Sequence, residues 1–168
     1  MKSLTLLAAA AAVLVPVAAS AIPLPAKTYV MKAGASDLFE TESSKLVVDS
    51  KDIAVASFAT MMISDHAKST DDVKAAAMAD GMTPGAPMLT PKQKAMINSL
   101  KSATGSKRDL LYKKDQIAAH TETLAFQREY ARAGDKTHLR MTAGTIVPVV
   151  EHHLEMAKGM TPMAARLQ

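Results

Sequence analysis

The 168-residue chain contains no cysteine and no tryptophan, and its only aromatic residues are three phenylalanines and three tyrosines. Without cysteine the chain can form neither a disulfide nor a thiolate metal site, so apolar burial must hold its core together. The aromatic residues are not interleaved with basic ones, as they are in proteins that stack bases. The net charge of +4 is spread over interspersed acidic and basic residues. This composition predicts a mildly basic, solvated surface and no nucleic-acid partner.

The N-terminus has the three parts of a secretory signal peptide. Lys2 supplies the positive charge, residues 4–15 form an apolar run, and Ala19-Ser20-Ala21 is a small-residue cleavage pattern. We therefore expect a signal peptide over 1–21, export across the inner membrane, and a periplasmic or cell-envelope location. The apolar run is shorter than a membrane-spanning helix needs, and Pro16 interrupts it. After its removal we expect no transmembrane segment; an uncleaved N-terminal anchor is the alternative, and envelope association stays open.

Apolar residues of the mature chain recur at helical spacing, and no strand pattern occurs. Pro23 and Pro25 predict an extended lead over residues 22–34. Helices are expected from Ala35 and then over about 51–80, 91–102, 106–133 and 136–158, with glycine and proline at their ends. The sequence thus predicts an all-α antiparallel four-helix bundle over residues 35–159, with one additional short helix in the 81–105 connection and a loose tail over 160–168. The connection is either a loop over one end or a lengthwise crossover.

Three of the five histidines replace apolar residues on the inward stripes of three different helices. They are His66, His120 and His153, whereas His138 is expected at the surface. At 1.5 Å per residue, His66 and His120 reach the same height in the bundle, about 21 Å from the nearest turn. His153 and its neighbour His152 are expected to miss that level by about 7 Å.

These histidines have two interpretations. The first is an interior site for a divalent metal, held by imidazoles and one carboxylate, as is common in helix bundles: Glu42, His66, His120 and His153. The second is a metal-free buried network in which both nitrogens of each ring find polar partners: Asp65, His66, Asp109, Tyr112, His120 and His153.

Methionine is abundant, with twelve residues. The C-terminal stretch HHLEMAKGMTPM combines imidazoles with thioethers, a ligand set suited to copper: His152, His153, Met156, Met160 and Met163. The alternative is that these methionines fill gaps in a helical core. The sequence contains no Gly-Xaa-Ser-Xaa-Gly elbow, no glycine-rich phosphate loop and no His-Glu-Xaa-Xaa-His pair, so we do not predict an enzyme.

Four segments together resemble a known family: FETESSKL (39–46), FATMMISDH (58–66), RDLLYKKDQIAAH (108–120) and PVVEHHLEMA (148–157). They are similar to the bacterial exported proteins grouped as domain of unknown function 4142, often labelled "putative membrane protein". The resemblance covers about residues 29–158 and implies a ferritin-like four-helix fold in the periplasm or envelope, without a known activity. Ferritin-like oxidases carry Glu-Xaa-Xaa-His pairs, whereas here Ile63, Ile117, Val149 and Val150 stand three residues before the histidines. Di-iron oxidase chemistry is therefore not expected.

The preferred interpretation is an exported, non-enzymatic helical bundle that acts in envelope stress or binds a small partner of unknown identity. A metal-binding bundle is the first alternative and copper binding by methionine and histidine is the second. No cofactor follows with certainty from the sequence.

Overall fold

The computed structural model describes residues 24–160, which form five α-helices. They are α1 (Ala26–Lys45), α2 (Ile53–Ala79), α3 (Pro91–Ser102), α4 (Gly105–Ala133) and α5 (Thr137–Gly159). No strand occurs among these residues. The signal peptide predicted over 1–21 lies outside the described residues, as does the predicted tail beyond Met160.

The long helices form a ring in the order α1, α2, α5, α4, and neighbours run antiparallel. Three hydrogen bonds between α1 and α4 fix that register, since each later residue of α1 meets an earlier residue of α4: Tyr29 with Gln127, Ser36 with Thr123, and Ser44 with Tyr112. The diagonal helices α2 and α4 therefore run in the same direction. The connection between them travels the length of the bundle, and α3, part of this crossover, packs on α1 and α4. The predicted all-α, ferritin-like antiparallel four-helix bundle with one additional short helix is confirmed.

Apolar side chains gather at the two ends of the bundle and leave a polar layer between them. One cluster surrounds Tyr29, Tyr130 and Leu139, and the other surrounds Val55 and Met62. Burial of these clusters is the main stabilising contribution, at about 25 cal/mol for each Å² of apolar surface removed from water. Since both ends are held in this way, the side chains at mid-height are fixed even though many of them are polar.

The extended lead predicted over 22–34 is wrong for residues 26–34, because α1 begins at Ala26. Pro25 occupies the N-cap position with extended backbone angles, so it precedes the helix without interrupting it. The first free N–H of α1 is satisfied from elsewhere in the fold, since Ala26 N donates to Asp135 Oδ1 at 2.9 Å. The bundle therefore includes residues 26–34 as well as the predicted 35–159.

None of the helices between residues 24 and 160 combines the length and the apolar character that a bilayer crossing requires.

The turn between α4 and α5 requires glycine at position 134, and this generates a prediction. A Cβ at Gly134 would lie 2.6 Å from Cε1 of Tyr130, and that ring cannot move away because it stacks on Tyr29 at 3.9 Å. We expect Gly134→Ala to lower the free energy of unfolding by about 1–3 kcal/mol through overpacking. Gly144→Ala is the matched control, because a Cβ there would meet no atom of residues 24–160 within 4 Å and should stabilise α5 by about 0.5–1 kcal/mol. Urea denaturation of both variants measures these changes, and equal changes in the free energy of unfolding would contradict the requirement for glycine at 134.

Asp80, the residue after α2, caps the N-terminus of α5, whose own N-cap residue makes no side-chain cap bond. Its carboxylate accepts from the backbone N–H groups of His138 at 3.2 Å and Leu139 at 2.9 Å. Burial alone would raise the pKa of Asp80, but the bonds from Leu139 and His138 outweigh it and hold that pKa below 3.8.

We expect Asp80→Ala to cost about 0.5–2 kcal/mol in urea denaturation at pH 7. Because the pKa is lowered in the folded state, the cap contributes fully above pH 3.8 and is lost as the pH falls through the lower folded value. The difference from the wild type should therefore shrink in acid. Asp71→Ala is the control, because Asp71 is an exposed position on the same helix. If Asp80→Ala lowered the free energy of unfolding no more than Asp71→Ala does, the capping role of Asp80 would be ruled out.

Candidate metal centre

His66 on α2, His120 on α4 and His153 on α5 meet at mid-height inside the bundle. Their ring centroids form a nearly equilateral triangle with sides of 5.5, 5.6 and 5.5 Å. The three residues are 4%, 1% and 2% exposed, so solvent water does not reach the rings freely. The structure thus brings together all three histidines that the sequence placed on inward stripes.

The height difference expected for His153 disappears because of the direction in which helical side chains point. His120 lies 13 residues before the end of α4 and His153 lies 16 residues after the start of α5, a difference of three residues or about 4.5 Å. The Cα–Cβ bonds of a helix tilt toward its N-terminus. Because α4 and α5 run in opposite directions, the two rings tilt toward each other and the remaining gap closes.

One nitrogen of each ring is held by a partner on its outer side. Nδ1 of His66 donates to Asp37 Oδ1 at 2.8 Å, and Nε2 of His153 donates to Asp65 Oδ2 at 3.0 Å. Nδ1 of His120 donates to the carbonyl oxygen of Gln116 at 3.0 Å. Since a carboxylate or a carbonyl oxygen can only accept, these bonds fix the tautomer of each neutral ring. The other nitrogen of each ring then carries a lone pair.

Those second nitrogens are His66 Nε2, His120 Nε2 and His153 Nδ1, and none has a hydrogen-bond partner among residues 24–160. The three rings offer nitrogens that lie within 4.8 Å of one another. Unsatisfied buried polar atoms are costly, and facing lone pairs repel. A metal ion placed midway between three nitrogens at that spacing would lie at most about 2.8 Å from each of them. Each ring would therefore have to move inward by less than 1 Å to give the 2.0–2.1 Å of a metal–imidazole bond.

The electrostatics of the cluster keep two of the three rings neutral. Burial, with the neighbouring charges of His66 and His153, lowers the pKa of His120 to about 3. Burial and His66 also lower the pKa of His153, although Asp65 opposes them. At His66 the bond to Asp37 and the charges of Glu40 and Asp65 outweigh burial and raise the pKa. A proton on His66 could bridge to only one other ring, whereas a cation would satisfy all three nitrogens.

The predicted carboxylate ligand Glu42 is wrong, because its side chain is 43% exposed and pairs with Lys45 at 3.0 Å. Glu40 points inward instead and is 1% exposed, with Oε1 3.7 Å from Nδ1 of His120. The error is one of helix phase, since the buried face of α1 between 36 and 44 is polar apart from Phe39, and a hydropathy pattern does not reveal a polar buried face. The available signal was the spacing of Ala26, Tyr29 and Ala33, which leads to Glu40 once α1 begins at Ala26.

The six residues of the predicted polar network divide into two groups. Asp65, His66, His120 and His153 lie together, and their further partners, Asp37 and the backbone carbonyl of Gln116, are outside the predicted six. Asp109 and Tyr112 lie toward the α1–α2 turn instead. There Asp109 accepts from Ser50 at 2.9 Å and the Tyr112 hydroxyl bonds to Ser44 at 2.7 Å.

The methionine and histidine set proposed for copper is divided between two faces of α5. His152 and Met156 are exposed, whereas His153 and Met160 are buried. Met163 lies outside the described residues. The described members of the set therefore do not converge on one point.

A cavity of about 430 Å³ lies between α1, α2 and the crossover, and Asp37, the partner of His66, is the residue of its wall that touches the histidine cluster. Asp37 and Thr70 form part of its wall, and Asp37 Oδ2 accepts from the Thr70 hydroxyl at 3.2 Å. The same carboxylate thus faces the cavity on one side and holds His66 on the other.

These features define an all-α ferritin-like bundle with a buried three-histidine cluster in its polar middle layer. The family described as "Domain of unknown function (DUF4142)" matches residues 11–160, and the chain belongs to this family. The expected membership is therefore confirmed.

Among solved structures, the chain is similar to "Crystal structure of DUF305 fragment from Deinococcus radiodurans". The TM-score is 0.69 at 15% sequence identity, and the alignment covers 80% of this chain and 93% of the other. At that identity the likeness concerns the fold alone. A search of curated proteins finds no match.

Burial of Glu40 generates a pH prediction for the metal-free protein. Burial raises the pKa of its carboxyl from 4.5 to about 7, although the charge of His66 and the nearby Gln116 amide oppose the rise. A raised folded-state pKa means that stability is complete below pH 4.5 and declines as the pH rises through about 7. Glutamine cannot ionise, so Glu40→Gln should gain stability relative to the wild type across that interval.

The measurement is urea denaturation in chelator at several pH values between 4.5 and 8. Glu42→Gln makes the same chemical change on the exposed face of α1 and should show no such trend. A difference between Glu40→Gln and the wild type that does not vary with pH would refute the assignment.

Proposed function

We propose that this protein is an exported metal-binding bundle that holds one divalent transition-metal ion between α2, α4 and α5. His66, His120 and His153 would each give one imidazole nitrogen to the ion. The observation that carries the proposal is a cluster of three buried rings that offer nitrogens within 4.8 Å of one another. Each ring has one nitrogen held from outside and one without a hydrogen-bond partner among residues 24–160. Outer partners that orient the rings in this way are typical of metal-ligating histidines.

The metal-free polar network explains the same residues less well. A buried polar network is favourable when every member is satisfied, and costly when it is half satisfied. Here the outer nitrogens are bonded, but the inner ones have no partner in the part of the chain from 24 to 160. A cation at the centre supplies the missing partner for all three inner nitrogens at once.

The chemistry of the ligands limits the class of ion. Neutral imidazole suits zinc, copper, nickel and cobalt, whereas magnesium and calcium prefer oxygen ligands. Three protein ligands leave a fourth position on a tetrahedral ion for water or a small anion. The enclosure of the rings favours a role in holding the ion over turnover of a large substrate, in line with the non-enzymatic character expected from the sequence.

The predicted signal peptide supports a periplasmic or envelope location for this binding. The absence of cysteine from the sequence fits such a setting, since the site needs no thiolate and is insensitive to disulfide exchange. A role in envelope stress or in binding a small partner stays a prediction.

The test is a metal titration of the full chain, purified without a histidine tag and stripped with chelator. We expect one equivalent of Zn²⁺ or Co²⁺ per chain by elemental analysis, and no retention of Mg²⁺ or Ca²⁺. Binding should also stabilise the fold, by about 2.7 kcal/mol when free metal is 100 times the dissociation constant. His66→Ala, His120→Ala and His153→Ala should each lose both the metal and the stabilisation.

His152→Ala is the matched control, because His152 is the exposed neighbour of His153 on the same helix. Circular dichroism in chelator verifies that each variant is folded before metal is added. Failure of the wild type to retain any of the four imidazole-preferring metals would exclude the proposal, as would equal metal loss in His152→Ala and the three interior variants.

A further inference from the structure

The outer partners of the three histidines are not equivalent. Asp37 and Asp65 supply carboxylates to His66 and His153 at hydrogen-bond distance. His120 donates instead to the carbonyl oxygen of Gln116, one turn earlier on its own helix. That carbonyl is a weaker acceptor, because charge-assisted bonds to carboxylates are roughly twice as strong as neutral ones.

A carboxylate nevertheless lies beside His120. Glu40 projects from α1, the one long helix that supplies no histidine, three residues after Asp37 and on the same face. It is 1% exposed, and neither of its oxygens has a hydrogen-bond partner among residues 24–160. Its Oε1 lies 3.7 Å from Nδ1 of His120, which is the nitrogen on the outer side of that ring. An unpaired carboxylate in the interior is costly, so its retention beside a histidine calls for a role.

We propose that Glu40 is the positioning residue of His120 and accepts the Nδ1–H bond of that ring when a metal ion is bound. This inference rests on the proposed function. The carboxylate has to move by about 1 Å to reach the 2.7–2.9 Å of a charge-assisted bond. Each metal-binding histidine would then donate to its own carboxylate, with Asp37 and Glu40 on α1 and Asp65 on α2.

Glu40 acts through His120 and is not itself a metal ligand. The residues whose ligand atoms come together are the three histidines, and Glu40 approaches His120 at Nδ1, the nitrogen bonded to the Gln116 carbonyl, rather than at the unpartnered Nε2. A carboxylate behind an imidazole fixes its orientation and increases its basicity, and loss of such a partner typically weakens metal binding 10–100-fold.

The experiment compares Glu40→Gln with Glu42→Gln, two identical chemical changes on α1 with opposite exposure. Co²⁺ affinity is measured by competition with a chelating dye, and the visible spectrum of bound Co²⁺ reports the donor atoms. We expect the dissociation constant to rise about 10–100-fold in Glu40→Gln and to stay at the wild-type value in Glu42→Gln. The Co²⁺ spectrum should keep its band positions in both variants, because the three nitrogen donors are unchanged.

A second measurement follows the wild-type protein and does not depend on the folding of Glu40→Gln. The Nδ1–H proton of His120, assigned by its loss in His120→Ala, should move downfield in the NMR spectrum when Zn²⁺ is added to the metal-free protein. That shift is the signature of a new bond to a carboxylate.

The outcomes separate this inference from the proposed function. If His120→Ala abolishes metal binding but Glu40→Gln binds Co²⁺ as tightly as the wild type, the positioning role is wrong and the three-histidine site stands. A change of the Co²⁺ bands in Glu40→Gln would make Glu40 a direct ligand and would also overturn the inference. If the wild type binds no metal, both proposals fail together.

Discussion

The arrangement on which the rest of the site depends is the meeting of three buried imidazole rings, each with one nitrogen that has no hydrogen-bond partner among residues 24–160. Each ring is fixed by a bond on its outer side, so it cannot rotate to satisfy its inner nitrogen without breaking that bond. The inner nitrogens therefore have no hydrogen-bond partner among residues 24–160, and a proton on His66 would satisfy one other ring at most. Apolar clusters above and below supply the burial that holds this unfavourable layer in place.

The polar face of α1 fixes the position of this helix along the bundle. Hydrogen bonds to α4 run along this face from Tyr29 to Ser44, and the acidic side chains of Asp37 and Glu40 lie among them. Buried hydrogen bonds of this kind contribute only about 0.5–1.5 kcal/mol each. Their geometry is strict, however, and a shift of α1 by one turn would break several of them. The face thus fixes the register that sets the two carboxylates behind their histidines.

Sequence reasoning succeeded where apolar periodicity was strong and failed where the buried face was polar. The boundaries of α2 to α5 followed within about two residues from glycine, proline and capping residues. On α1 the inward residues between 36 and 44 are polar apart from Phe39, and a hydropathy pattern assigns such polar residues to the surface: Ser36, Asp37, Glu40, Ser43 and Ser44. The predicted inward face of α1 was therefore rotated about the helix axis, so that it contained Glu42 where the buried residue is Glu40. The Gln116 carbonyl could not have been found, since backbone acceptors carry no sequence signal.

The sequence by itself determined the helical class and the three histidines that point inward, because these depend on local spacing along each helix. It also identified the family, through the resemblance of four segments. It did not determine that the rings share one level, since rise per residue places Cα atoms but not the tilt of side chains on antiparallel helices. Only the tertiary structure decided which carboxylate stands behind which ring. Those contacts join residues up to 88 positions apart, and the packing of whole helices sets their distances.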